Sequence, residues 1–290
     1  MPNSHTAEQD QEPWDLRIRP HHSLFSLHLR DAWHYRDLLV LLVRRDFVSF
    51  YKQTVLGPLW FFLQPMLTTV MYVFIFGRLA GLSTDGLPQP LFYMTGIVAW
   101  NYFAECLTKT STVFRDNAAI FGKVYFPRII MPLSIVVSNL VRFGVQFMLL
   151  VCLIAYYILF KGYSLEANAY LLLFPLMMLL MAVLGLGSGM LISALTTKYR
   201  DLAFLVTFGV QLFMYATPVI YPLSAAPDAA RGIIAANPLT PVLEGIRLGL
   251  LGRGEMTPGS LLYATGASLA VLLTGIVVFN RVEKTFIDSV

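Results

Sequence analysis

The chain has 290 residues, 57% of them apolar and 13% charged, with a net charge of +4 and a mean hydropathy of +0.65. Soluble globular domains carry roughly 25% charge, so the polar surface that a water-soluble enzyme needs is missing and that class is excluded. Apolar runs of roughly 20 residues recur along the chain, the length that crosses a bilayer core about 30 Å thick as a helix, and the fold class is an all-α polytopic membrane protein.

Residues 1–23 form a polar tail, acidic before it turns basic, with none of the apolar run of a signal peptide. The start is therefore expected to stay uncleaved in the cytoplasm. Residues 24–57 read as an amphipathic interfacial segment. Within it the spacing predicts a helix from Asp31 to Gln53, with Asp31 as N-cap and Lys52 at the end that favours a cation. Val40, Val43, Phe47 and Phe50 mark one face, and Arg45, Ser49 and Lys52 another. Such a helix lies along the membrane surface. It serves either as a plain anchor or, through Arg44, Arg45 and Lys52 at the mouth of the first span, as an anion site for a lipid-linked phosphate. Arginine suits the second role because its planar fork holds two phosphate oxygens at once.

Residues 58–290 carry six predicted crossings, near Pro58–Gly77, Leu91–Thr110, Leu133–Phe160, Tyr170–Leu195, Leu202–Tyr221 and Ser260–Phe279. A barrel would need alternating segments about ten residues long, and these runs are continuously apolar. Lys and Arg crowd the segment before span 1, the 2/3 and 4/5 loops and the C-terminus. The alternate loops hold only Arg78, Lys161, Arg231, Arg247 and Arg253. Both termini are therefore expected on the cytoplasmic side. A basic inner face beside anionic lipid accounts for the net charge, and no nucleic-acid partner is implied.

Inside the spans, polar residues recur at helical spacing: Trp60, Gln64, Thr68 and Tyr72 in span 1, Asn139, Arg142 and Gln146 in span 3, and Thr207, Gln211 and Tyr215 in span 5. Lipid offers such groups no partner, so the stripes point inward, as helix-to-helix glue or as the lining of a solvated conduit. Arg142 has a third option, snorkelling to the inner interface from the 28-residue span 3. Aromatic residues crowd the span ends as an interfacial belt, and some, Trp60 and Tyr72 first, are placed to stack on sugar rings. Gly185, Gly189 and Ser193 in span 4 form a small-residue row for close helix packing. The 2/3 loop, Arg115 to Lys123, is sized for one short helix begun by Asp116 or Asn117 and ended at Gly122. The 4/5 loop, Thr196 to Asp201, exposes Lys198, Tyr199, Arg200 and Asp201 as a stiff lever. Between spans 5 and 6, the prolines of 222–259 bound apolar pieces too short to cross, Ile233 to Ala236 and Val242 to Leu251, which read as two re-entrant or interfacial half-helices.

The chain has no GxxxxGK[ST] phosphate loop. Glu105 is the one acid within a predicted span, and no His, Asp or Glu pair is available for a metal or for two-carboxylate catalysis. Cys106 and Cys152 lie 46 positions apart in apolar stretches and form no disulfide framework. No catalytic residue is assigned, and energy for uphill movement is expected from a partner.

The motifs KQTVLGPLW (Lys52 to Trp60), NAAIFGKVYFPRIIMP (Asn117 to Pro132), KYRDL (Lys198 to Leu202) and NPLTP (Asn237 to Pro241) follow the amphipathic helix in order. In this the chain, from about residue 31 to 290, resembles the permease subunit of ABC-2 type exporters that move lipid-linked polysaccharide, such as O-antigen or teichoic acid, across the bacterial inner membrane. The resemblance implies a homodimer of six-helix subunits docked on two copies of an ATP-binding subunit. ATP and Mg would bind there, leaving this chain without cofactor. It implies coupling at Arg115, Asp116, Asn117, Lys123, Tyr199, Arg200 and Asp201, a cytoplasmic gate at Arg44, Arg45 and Lys52, and paired outer half-helices in 222–259. It also implies a conduit lined by spans 1 and 5. Two other readings compete: an ABC-2 permease for another amphiphile, such as a drug or glycolipid, and a membrane enzyme on polyprenyl-linked sugars. Against the enzyme stands the lack of convergent Asp, Glu or His.

Overall fold

The computed structural model describes residues 33–52, 55–121, 126–164 and 168–287. The tail 1–23, the Asp31 cap, Gln53, Gly122 and Lys123 lie outside the described residues. Among the described residues all regular structure is helical. Helix α1 (Arg36–Tyr51) is followed by a 3-10 turn (Gly57–Leu59) that runs into α2 (Trp60–Tyr72) and a π-helical turn (Val73–Leu79). After α3 (Gln89–Ser111) come two single turns, α4 (Val113–Asp116) and α5 (Ala118–Phe121), and then α6 (Ile130–Lys161). A 3-10 turn (Ala169–Leu173) leads into α7 (Phe174–Lys198), followed by α8 (Leu202–Tyr215). The half-helices α9 (Asp228–Ala236) and α10 (Leu239–Leu251) precede α11 (Pro258–Ile287).

Among the described residues four stretches are long and apolar enough to cross a membrane: Gly57–Leu79, Ile130–Lys161, Ala169–Lys198 and Pro258–Val282. They match predicted spans 1, 3, 4 and 6. Span 2 appears as α3, which has the length but carries Asn101, Glu105 and Lys109. Most of its residues are buried against other helices, so its side chains meet protein rather than lipid and need not be apolar throughout. Span 5 differs from the expectation. The sequence pattern carries it to Tyr221, but α8 stops at Tyr215 after 14 residues, about 21 Å of helix. Pro218 cannot continue the hydrogen-bond ladder, and the chain turns so that Val219 and Ile220 are buried. In the 2/3 loop the expected short helix is the single turn α5, begun after Asn117, and a second single turn, α4, precedes it; Asn117 Nδ2 donates back to the Val113 carbonyl at 3.0 Å. That local bond competes with a continuous helix.

Packing centres on α7. A Cβ added at Gly185 would lie 2.8 Å from Cys106 Cβ, and one at Gly189 2.5 Å from Thr110 Cβ, both on α3. Gly187 faces the other way, where a Cβ would lie 2.8 Å from Leu272 Cα on α11. A Cβ on Gly275 would lie 2.5 Å from the Gly187 carbonyl oxygen. The row Gly185, Gly189 and Ser193 is thus a packing seam, and a second seam runs on the opposite face. In lipid, where no hydrophobic force drives helices together, such close backbone contact holds them by dispersion. The Thr196 hydroxyl at the end of α7 donates to the Ser111 carbonyl at the end of α3.

Gly187→Leu is expected to cost about 1–3 kcal/mol through overpacking and to lower the unfolding temperature of the detergent-solubilised protein. Gly266→Leu on α11, where nothing lies within 4 Å of an added Cβ, is expected to leave it in place. Equal melting of the two variants would remove the seam from this account.

Candidate functional site

At the end of the bundle where α1 lies, Leu42 is buried at 3% exposure in a cluster that includes Phe114, Ile130, Met190 and Phe279, with Leu38 and Leu39 packed beside it. The face that docks on protein is thus distinct from the stripe expected to face lipid, whose Val40 is 62% exposed. The helix is apolar on two faces, and the Leu38, Leu42 spacing of four was the signal for the buried one. Phe47 stacks on Phe61 of α2 with ring centroids 6.0 Å apart, joining α1 to span 1. Arg44, Arg45 and Lys52 are exposed. Arg45 donates from Nε (3.0 Å) and Nη2 (2.8 Å) to Asp46 Oδ1, so its fork is already engaged by a neighbour.

The stripes of spans 1 and 5 come together at one end. The Tyr72 hydroxyl meets Met214 Sδ at 3.6 Å, and its ring stands edge-on to Tyr93 of α3 at 6.1 Å. Tyr221 donates to the Tyr215 carbonyl at 3.0 Å. Away from that contact Trp60, Gln64, Thr207 and Gln211 are exposed, while Thr68 and Thr207 return their hydroxyls to the Gln64 and Ala203 carbonyls one turn back. In a single chain these faces of α2 and α8 are open.

The span 3 stripe does something else. Asn139 and Gln146 are buried, and Asn139 Nδ2 points at Cys106 Sγ, 3.8 Å away on α3. Arg142 neither lines an open path nor snorkels free. Its Nη1 lies 3.4 Å from Glu105 Oε2, and its guanidinium lies 5.7 Å from the centre of the Phe61 ring. The same Glu105 oxygen takes Lys109 Nζ at 2.7 Å, and Lys109 also reaches Asn139 Oδ1 at 3.4 Å.

The two loops expected to meet a partner lie at this same end. Arg115 and Asp116 pair at 2.8 Å and are exposed, while Phe114 is buried and stacks on Phe279 of α11 at 4.6 Å. Tyr199, Arg200 and Asp201 are exposed immediately after α7. The Thr196 to Ser111 hydrogen bond ties the roots of the two loops together.

Sequence reasoning missed a buried ion pair at the opposite end. Glu244 and Arg247 on α10 are each 1% exposed, and Arg247 Nη1 donates to Glu244 Oε1 at 3.1 Å. Arg247 Nη2 donates to the Val219 carbonyl at 2.7 Å, and its guanidinium lies 4.0 Å from the Phe92 ring centre on α3. Glu244 accepts from the backbone N–H groups of Leu223 (3.2 Å) and Glu255 (3.0 Å). Burial pushes the Arg247 pKa down and the Glu244 carboxylate draws it back up, and a guanidinium stays protonated throughout. One pair thus fastens α10 to α3, to the turn after α8 and to the strap before α11. By contrast α9 is mostly exposed and reaches its surroundings through bonds such as Arg231 to Glu255 at 2.8 Å. Among the described residues no three His, Cys, Asp or Glu side chains converge as a metal site.

Residues 37–251 match the ABC-2 type transporter membrane family. The O-antigen export system permease protein RfbA of Klebsiella pneumoniae is 30% identical over 253 residues, 87% of this chain and 94% of its own length. The protein of the same name from Myxococcus xanthus is 27% identical over 265 residues, 90% and 98% of the two chains. The polysialic acid transport protein KpsM of Escherichia coli is 20% identical over 240 residues, 81% and 89%.

Removing one partner of the buried pair, by Glu244→Gln or Arg247→Met, is expected to cost about 3–5 kcal/mol because the other charge is left uncompensated. The double variant, with both charges gone, is expected to recover a substantial part of that loss. Thermal unfolding in detergent reads the cycle, and strictly additive losses would show that the two residues do not act as a pair.

Proposed function

Because the chain belongs to the ABC-2 type transporter family, we propose that it is the permease subunit of an ATP-driven exporter of polyprenyl-diphosphate-linked polysaccharide, of the O-antigen or teichoic-acid kind, in the bacterial inner membrane. The observation that carries this reading is similarity over nearly the whole chain to permeases named for O-antigen export. It is joined by the polar and aromatic side chains Trp60, Gln64, Thr207, Gln211 and Tyr215, which stand exposed among aliphatic ones on α2 and α8. In this reading α3 and α8 cross with the four apolar spans, both termini face the cytoplasm, and the half-helices α9 and α10 lie at the outer end.

The open faces of α2 and α8 favour a homodimer. Gln64 and Gln211 have no place against lipid, and a second copy would enclose them with Trp60, Thr68, Tyr72, Thr207 and Tyr215 as the two walls of one conduit. Arg44, Arg45 and Lys52 gate the inner mouth near the lipid head group. Arg115, Asp116, Asn117, Lys123, Tyr199, Arg200 and Asp201 meet an ATP-binding subunit, two copies per dimer, which supplies the ATP and Mg site. The stacked, hydrogen-bonded roots of these loops suit them to transmit a push, since Phe114 engages α11 and Thr196 engages α3. This chain breaks no bond in the substrate.

In a strain lacking the gene, finished lipid-linked polymer is expected to accumulate on the cytoplasmic side. Loss of polymer synthesis would instead mark an enzyme. Trp60→Ala combined with Tyr72→Ala is expected to lower export about tenfold at normal protein levels, the factor that loss of about 1.4 kcal/mol of ring contact gives. Unchanged export would take both rings out of the conduit. Charge reversal at Arg200 and Asp201 is expected to leave ATP hydrolysis running while export falls, and retention of coupled transport would clear these residues.

A further inference from the structure

Span 1 does not keep one helical register. From Trp60 to Tyr72 it is α-helical, and from Val73 to Leu79 its bonds reach one residue further, as from the Ala80 N–H to the Ile75 carbonyl at 2.9 Å. The π form is rare and takes in one residue more than the α-turn it replaces. The two flanks are therefore out of step by one residue, about 100° of rotation. Both flanks are seated. On one side Phe61, Pro65 and Thr69 are buried. On the other Leu87 lies in the core, Thr84 donates to its carbonyl at 2.7 Å, and Ser224 donates to Asp85 Oδ1 at 2.7 Å. The surplus residue is trapped between them, and what can change is its place along the helix.

The ladder on the Pro65 side is soft. Pro65 has no N–H to give it. Thr68 and Thr69 return their hydroxyls to the Gln64 and Pro65 carbonyls at 2.9 and 2.7 Å, back-bonding that slightly destabilises a helix. At the junction the Val73 N–H is already divided between the Thr69 and Val70 carbonyls. The far side is hard, because an added Cβ on Gly77 would lie 2.5 Å from Gln89 Oε1. That place cannot pass to Phe76 or Arg78, so the surplus residue has room to move in one direction, toward Pro65. Tyr72 stands at the boundary it would cross. Its hydroxyl meets Met214 Sδ at 3.6 Å, and sulfur is a weak acceptor.

We propose that the π turn is a travelling register shift, which during transport passes Tyr72 toward Pro65 and swings the tyrosine off Met214. Each residue that the turn passes moves one place along the helix, so Val73 takes the slot opposite Met214. Valine lacks the reach of tyrosine, and the contact between spans 1 and 5 opens while both flanks keep their seats. The inference rests on the export reading for the meaning of that opening, a wider path between the two conduit stripes.

The test uses the complete permease and ATPase complex in phosphatidylcholine vesicles, carrying Cys152→Ser to remove the exposed native thiol; Cys106 is buried. Two double variants, Tyr72→Cys with Met214→Cys and Val73→Cys with Met214→Cys, are treated with a short bifunctional maleimide. Without nucleotide the Tyr72 pair is expected to cross-link in preference. With ATP and vanadate the ratio of yields is expected to shift at least about tenfold toward the Val73 pair. An unchanged ratio overturns the inference, and leaves the export reading intact where the wild-type complex moves lipid-linked polymer. A shifted ratio in a complex that moves no such polymer overturns the export reading and keeps the register shift. Deleting Phe74, which is 53% exposed, removes the surplus residue beyond Tyr72 and closes the segment as an α-helix with the tyrosine on Met214. This variant is expected to keep ATP hydrolysis within about twofold of wild type and to lose export about tenfold, as a frozen conformational step does. Export at the wild-type level would overturn the shift. The cross-link ratio, read on a chain of full length, decides the matter should the deletion variant fail to assemble.

Discussion

A charge drawn below the bilayer surface must have its counter-charge within reach, because hydrocarbon supplies neither water nor ions. The chain answers that constraint at each end of the bundle, and the two answers differ in kind. Glu244 and Arg247 are sealed at 1% exposure and bonded to backbone groups of the turn after α8 and of the strap before α11. Such a pair cannot trade partners without exposing a bare ion, so it fixes the half-helix that carries it. Glu105 shares one oxygen between two cations and stands half open.

The same division appears in the packing. Helices α3, α7 and α11 approach to backbone contact through Gly185, Gly187, Gly189 and Gly275. Against this dense layer α2 and α8 are lightly held, with Phe204, Leu205, Phe208 and Leu212 of α8 all more than half exposed. These lightly held helices carry the polar stripes of spans 1 and 5. The 2/3 and 4/5 loop ends are rooted in the dense layer through Phe114 and Thr196.

Much of this was legible in the sequence. Continuous apolar runs of about 20 residues mark crossings because the bilayer sets their length, and spans 1, 3, 4 and 6 appear where hydropathy put them. The glycine row and the proline-bounded half-helices were equally readable, since each is a local pattern. What escaped were partnerships between distant segments. Arg142 finds Glu105 37 positions away in the chain, and periodicity within one helix is silent about that. Glu244 and Arg247 were readable in principle, as an acid and a base three apart inside an apolar piece too short to cross. Arg247 was counted instead as loop charge, and Glu244 was not weighed. The protein-docking face of α1, Leu38, Leu39 and Leu42, went unread because periodicity in one helix cannot say that a second apolar face meets protein. The early end of span 5 followed from Pro218, whose effect on the ladder was outweighed by the apolar residues beyond it.

The loose seating of α2 and α8 has a consequence for how such a subunit can diversify. A residue wedged between glycine-spaced backbones can change only if its neighbours change with it. A residue on a lightly seated rod can be exchanged alone, because little else is fitted around it. New cargo can therefore be accommodated by rewriting a few outward-looking positions on two rods, with the frame that receives the mechanical stroke left as it stands.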